Sequence, residues 1–319
     1  MPSIVPGAAL LLAATFTTCF AQSFPTKPIR LITPFPAGSG ADIVTRKAAD
    51  ELIPRLGQPM VHEARPGGNF LISGEACAKA PADGYTLCVM TPGTVSYAPF
   101  VFKKMPYDAE RDFKPVANLF WVVGGLFASP NLQVNTIEEL KSLVAKGRSF
   151  NWATFGTGNN TDGVRQWVQD HLNMKATAIP YNSPPAIITA VMTGEADLTW
   201  IGVYNALGPT RAGKLKLIGV DSTKRWPVMP EVPTFDERFG PFGLRVWIGI
   251  MAPAATPDAA VQRIAEEYLR LFGESRFQQW LSENGVQNGI MGPQEFAKLL
   301  RSDRDDAAMF VKKYNFQVN

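Results

Sequence analysis

The chain carries no charged side chain before Lys27, and only two histidines and three cysteines in 319 residues. Each scarcity removes a class of function. There is no C-x-x-C and no paired His/Cys spacing, so no metal site is readable. His62 stands at a strand end and His171 at a helix end, neither with a Ser, Cys or His partner in a motif, so neither is read as catalytic. Gly38-Ser39-Gly40 is too short for a G-x-S-x-G nucleophile elbow. The same stretch fails as a dinucleotide fingerprint, because Ile43 replaces the third glycine, and no Lys-Ser/Thr ending makes it a P-loop. Lys+Arg number 31 against 28 Asp+Glu, with no basic run and no basic-aromatic cluster, so nucleic acid is not an expected partner. No cofactor is expected and the chain is not read as an enzyme; a hydrolase or dehydrogenase is the most distant alternative.

Long apolar runs are also missing. Residues 6–20 are apolar or small, but the run is too short and too rich in threonine to span a bilayer. Cys19 and Ala21 are small residues at the −3 and −1 positions of a cleavage site. Residues 1–21 therefore read as a secretory signal peptide, atypical in lacking a basic start. A buried N-terminal helix, a misplaced start codon and lipid attachment at Cys19 are the alternatives. Cleavage would leave an exported chain of about 300 residues, a length that suggests two lobes. Its hydrophobic content of 46% is ample for real cores.

After cleavage only Cys77 and Cys88 remain. Cys77 falls in a helical stretch over 72–79, Cys88 in a strand over 85–90. Export makes a disulfide possible. The favoured reading is two buried small apolar residues on packed faces.

What is present is a grammar of strand, glycine-rich loop and helix. Residues 29–42 read I-R-L-I-T-P-F-P-A-G-S-G-A-D: a strand over 29–33, a Pro/Gly loop, then a helix over 42–56 with Ile43, Val44, Ala48, Leu52 and Ile53 as its apolar stripe. Pro54 should kink its last turn and Gly57 should stop it. Such a loop offers backbone N–H groups at the positive end of a helix dipole, a site for an anion such as a carboxylate. Strands are expected over 59–63 and 85–90, the latter followed by the loop Thr91-Pro92-Gly93-Thr94. A helix over 136–146 carries a Thr136/Glu139 capping box. A strand over 151–155 runs into Gly156-Thr157-Gly158-Asn159-Asn160-Thr161-Asp162, another loop opening a helix. Strands follow over 178–181, 198–201 and 215–220, with Ser183 as the N-cap of a helix starting at Pro184. Amphipathic helices begin after Pro257 and Pro293, and 301–306 reads as a solvated face. The alternation implies parallel α/β sheets, which bind ligands beyond the carboxyl ends of their strands.

Several motifs occur in order: F-P-T-K-P-I-R from Phe24, P-F-P-A-G-S-G-A-D from Pro34, E-A-R-P-G from Glu63, K-A-P-A-D-G-Y-T-L from Lys79, M-P-Y-D from Met105, R-A-G-K-L from Arg211 and E-V-P-T from Glu231. Together they resemble the Bug family, the extracytoplasmic solute-binding proteins of tripartite tricarboxylate transporters, over essentially the whole mature chain. The resemblance implies a periplasmic-binding-protein-like Venus flytrap: two α/β lobes joined by crossing strands, with a ligand cleft between them. Lobe one is expected over 22–120 and 246–319, lobe two over 121–245. It implies a monomeric periplasmic protein that captures a small carboxylate and delivers it to the membrane subunits of the transporter. The alternative is an orphan receptor presenting its ligand state to a sensor kinase.

Ligand contacts implied by the matching motifs are Phe35, Ala37, Gly38, Ser39, Gly40, Ala41 and Asp42 in the first loop. Asp42 is the more natural helix cap. Thr91, Gly93 and Thr94 follow in the second loop, and Phe155, Gly156, Thr157, Gly158, Asn159 and Asn160 in the lobe-two loop. Ile201, where the family often carries a carboxylate, cannot read a ligand amine, which disfavours an amino acid. Trp200, Phe35, Phe155 and Tyr181 supply an aromatic or apolar wall, pointing to a carboxylate with an apolar body, such as a dicarboxylate or an aromatic acid.

Overall fold

A computed structural model describes residues 24–156, 160–240, 242 and 244–314. The expected signal peptide lies outside the described residues. The first part of the chain comprises Ile29–Thr33 (β1), Gly40–Leu56 (α1), Met60–Ala64 (β2), Leu71–Ala78 (α2), Thr86–Met90 (β3), Ala98–Val101 (α3) and Phe113–Val122 (β4). The middle comprises Gly124–Ala128 (β5), Ile137–Ala145 (α4), Ser149–Thr154 (β6), Asn160–Leu172 (α5), Lys175–Pro180 (β7), Pro184–Thr193 (α6), Leu198–Gly202 (β8), Val203–Arg211 (α7), Lys216–Val220 (β9) and Phe235–Phe239 (α8). The chain closes with Val246–Pro253 (β10), Asp258–Gly273 (α9), Ser275–Glu283 (α10), Val286–Met291 (β11) and Pro293–Tyr314 (α11).

Two sheets organise these elements. One has the order β11-β4-β10-β3-β1-β2, the other β7-β6-β8-β5-β9. β1 pairs in parallel with β2 and β3, and β6 with β7 and β8. β10 runs antiparallel between β3 and β4. The chain passes from the first sheet to the second at Val123, between β4 and β5, and returns through the segment before β10. Each sheet with its helices forms one α/β lobe. β3 and β10 are buried along their whole length, as expected of strands covered on both faces.

Local chemistry explains the boundaries. α1 starts at Gly40 because Ser39 is its cap, the Asp42 N–H donating to Ser39 Oγ at 3.4 Å. Asp42 is thus a first-turn residue and not the cap expected. Val44, Ala48 and Leu52 bury the inner stripe, the helix runs through Pro54, and Gly57 ends it at φ 70°. Thr136 caps α4, accepting from the Glu139 N–H at 3.1 Å, while Glu139 itself accepts from the preceding Asn135 N–H. Ser183 precedes α6 without a side-chain cap bond.

Two expectations are corrected. Cys77 and Cys88 are joined: α2 packs on β3, which brings their Cα atoms to 6.1 Å, within disulfide range. Both are fully buried, as expected, but they are bonded rather than merely packed. The second concerns 301–306. Asp303 turns inward from α11, accepting from Ser96 Oγ and from Trp247 Nε1 at 3.0 Å, and burial pushes its carboxyl up to about 6. The charge pattern of that helix face hid one inward position.

Candidate ligand-binding site

A cavity of about 240 Å³ lies between the lobes. It is built from carboxyl ends of parallel strands, as the α/β rule requires. Lobe one contributes Phe35 after β1, Gly67 to Phe70 after β2 and Thr91 after β3. Lobe two contributes Phe155 after β6, Tyr181 and Asn182 after β7, and Trp200 to Gly202 at the end of β8. Val122, Val246 and Ile248 of the connecting strands complete it. First-turn residues of four helices also line it: Ala41 of α1, Thr161 of α5, Pro184 of α6, and Tyr204 and Asn205 of α7. No Asp, Glu, Lys, Arg or His is among the described lining residues.

The first loop spends many of its donors internally. The Gly38 N–H donates to Asp42 Oδ2 at 2.9 Å, Ser39 to the Pro36 carbonyl at 3.2 Å, and Phe35 to Thr33 Oγ1 at 3.2 Å. The Gly40 N–H donates across the cleft to Asn205 Oδ1 at 3.0 Å. Among the described residues the N–H groups of Ala37 and Ala41 find no protein acceptor, and of the two only Ala41 lines the cavity. The Asp42 carboxylate is buried and accepts from Arg46 Nε at 2.9 Å, with His62 Nδ1 3.4 Å away. Burial lowers the His62 imidazole below the usual histidine range, opposed by Asp42.

Lobe two is arranged similarly. Thr161 Oγ1 accepts from the Phe155 N–H at 3.1 Å and sits 2.8 Å from Thr154 Oγ1. First-turn Asp162 pairs with Arg165 at 2.6 Å, echoing Asp42 and Arg46. Behind Trp200 lies Asp221, almost wholly buried where the chain changes lobes. Its Oδ1 accepts from the Gly124 N–H at 2.7 Å. Burial pushes its carboxyl up to about 8, against the pull of the Gly124 N–H and the Arg245 charge. Gly124 has no room for a side chain, since a Cβ would lie 2.1 Å from Trp200 Cζ2 and 2.3 Å from Asp221 Oδ2.

Of the residues expected at the ligand, Phe35, Ser39, Ala41, Thr91, Phe155, Tyr181 and Trp200 line the cavity. Ala37, Gly38, Gly40, Asp42, Gly93, Thr94 and Gly156 are placed in the adjoining loops and do not line it. Thr94 is turned inward, its carbonyl accepting from the Tyr107 hydroxyl at 2.8 Å. Thr157, Gly158 and Asn159 lie outside the described residues, as does the side chain of Asn160. Sequence reasoning missed Asn69, Phe70, Asn182, Tyr204 and Asn205. All five follow a parallel strand, so the strand-end rule applied at every strand would have found them.

Comparison with known proteins agrees with this geometry. The TctC family model, tripartite tricarboxylate transporter family receptor, matches residues 44–316. A UPF0065 protein of Bordetella pertussis is 27% identical over 311 residues, 97% of this chain and 95% of its own. The protein BugT of the same organism is 28% identical over 239 residues, covering 74% and 73%. Among solved structures, an R. palustris protein with adipate has a TM-score of 0.87 at 25% identity, over 92% of this chain and 99% of its own. The periplasmic binding protein BugD has 0.83 at 26%, covering 92% and 99%. MatC from Rhodopseudomonas palustris with bound malate has 0.80 at 27%, covering 90% and 100%. Among the described residues no helix is long and apolar enough to cross a membrane. With the family model covering most of its length, the chain belongs to the tripartite tricarboxylate transporter family receptors.

Proposed function

We propose that this protein is an exported receptor that closes its two lobes on a small carboxylate with an apolar body and delivers it to the membrane subunits of a tripartite tricarboxylate transporter. One observation carries the reading: four helices begin at a cavity that has no ionic side chain among its described lining residues. Helix N-termini present positive partial charge, so an anion is the ligand such a cavity favours. With no cation to neutralise several carboxylates and with aromatic and aliphatic walls, the site suits a ligand of low charge and apolar body over a hydroxylated tricarboxylate. The adipate and malate held by two relatives support a carboxylate. The buried disulfide supports an oxidising compartment such as the periplasm.

The test is thermal unfolding of the purified protein against aliphatic and aromatic acids, tricarboxylates, amino acids and methyl esters of the acids. A ligand at a hundred times its Kd stabilises by about 2.7 kcal/mol, a clear rise in Tm. A rise with an acid and none with its ester is the expected result. No rise with any acid, on folded and ligand-free protein, would refute the reading.

A further inference from the structure

Four consecutive residues beyond β2, Gly67, Gly68, Asn69 and Phe70, have positive φ, at 104°, 57°, 50° and 71°. Glycine adopts such angles freely and asparagine tolerates them. Phenylalanine does not, because its Cβ crowds the following carbonyl, and a bulky residue there is an outlier. Phe70 also occupies the cap position of α2 and gives the helix no side-chain hydrogen bond. Local stability would be better served by asparagine, which tolerates the angle and can cap. Strain of this kind persists where surrounding structure enforces it, and it concentrates at ligand clamps. Here the turn is pinned: the Phe70 N–H donates to the Gly67 carbonyl at 3.0 Å, and its own carbonyl accepts from Ser73 Oγ at 2.8 Å.

The strained backbone places a ring at the cavity. Phe70 lines it and meets Phe35 edge-on, with centroids 5.7 Å apart and planes at 62°. Gly93 lies beside it: a Cβ there would meet Phe70 Cδ2 at an ordinary contact distance of 3.5 Å and Thr91 Oγ1 more tightly, at 3.3 Å. The other lobe brings Phe155, Tyr181 and Trp200 to the same cavity. A cavity of about 150 Å³ holds a benzene, so 240 Å³ accommodates one ring and a carboxyl group. Aromatic walls favour a ring with a π face and polar edge over a saturated ring of the same size.

We propose that Phe70 is a specificity-determining residue, held in left-handed backbone so that its ring, with Phe35, selects a planar aromatic carboxylate over its saturated counterpart. The assignment rests on the carboxylate-capture reading above.

The experiment is calorimetric titration of the whole purified protein with two matched pairs, benzoate against cyclohexanecarboxylate and terephthalate against trans-cyclohexane-1,4-dicarboxylate, with adipate as an open-chain acid. In the pair that binds, the aromatic acid is expected to be about tenfold tighter on the parent. Phe70→Leu keeps bulk and strain but removes the π face, and should bring the ratio to within about threefold while leaving the saturated acid's Kd nearly unchanged. Phe70→Asn should likewise lose discrimination, yet melt no lower than the parent when ligand-free, since it relieves the backbone. A parent that does not discriminate, a ratio that survives in Phe70→Leu, or a markedly lower melting temperature for Phe70→Asn with the ratio intact each overturns the assignment. Adipate binding with neither pair bound overturns it and leaves carboxylate capture standing. Binding by none of the acids overturns both.

Discussion

At the scale of single residues, Gly40 shows how the sequence can point to the right place for the wrong reason. A glycine at the mouth of a helix reads as room for a ligand to approach the backbone. The structure gives that room to Tyr204 of the other lobe, since a Cβ on Gly40 would lie 1.7 Å from Tyr204 Cδ2. Neither Tyr204 nor Asn205 was legible as a partner, because the contact spans 165 positions and nothing local encodes it. Gly40→Ala should therefore leave the lobes folded but block their closure. Carboxylate affinity should fall by more than about tenfold, while the ligand-free melting temperature holds, because alanine suits a helix start better than glycine. Titration calorimetry and a melting curve check both halves. Asp221 carries a second prediction. Its carboxyl binds a proton more tightly folded, at about 8, than at its ordinary value of 3.8, so stability should fall as pH rises through that window. Asp303, raised to about 6, adds to the same decline in its lower part. Asp221→Asn, which keeps the shape of the protonated group, should flatten the decline, as read from urea midpoints at a series of pH values.

Elements with strong local signals were the legible ones. The Thr136 cap of α4, the Gly57 stop and three positions of the α1 stripe are written within one or two turns of chain, and both helices lie where the periodicity placed them, although Ile43 and Ile53, counted in that stripe, are exposed. β4, β5, β10 and β11 were not individually read. Their pairing is antiparallel and remote, Val246 lying opposite Val122, and their burial depends on neighbours that arrive late in the chain. The disulfide belongs to the same class: two buried cysteines 11 positions apart are ambiguous until α2 is known to pack on β3. Closing so short a loop is worth roughly 3 kcal/mol. The double variant Cys77→Ala, Cys88→Ala should lose about that much stability in urea unfolding. Because Cys77 lies one helix on from Phe70 and Cys88 lies three residues before Thr91, it should also weaken carboxylate binding.

For the whole molecule, the lobes meet in a closed arrangement. The start of α7 covers the start of α1, Gly285 packs against Val203 and Tyr204, and the Trp226 indole donates to the Ser282 carbonyl at 3.0 Å. A cleft enclosed in this way must open to admit its ligand, so binding is coupled to lobe motion. X-ray scattering should show the radius of gyration falling when a binding acid is added, and falling much less in Gly40→Ala. The two-lobe architecture was legible in the sequence because each lobe repeats the same strand, loop and helix units. The closing contacts were not, since they exist only between the lobes.

The uncharged lining has one more consequence, in proton traffic. Burial raises the Tyr181 hydroxyl to about 12 and the Tyr204 hydroxyl further, so among the described lining residues no group changes protonation near neutral pH. The ligand would enter already ionised, and the described lining would have no proton to exchange for it. The calorimetric enthalpy should then be the same in buffers of very different ionisation heat, and the acidity dependence of affinity should trace the free acid's own titration.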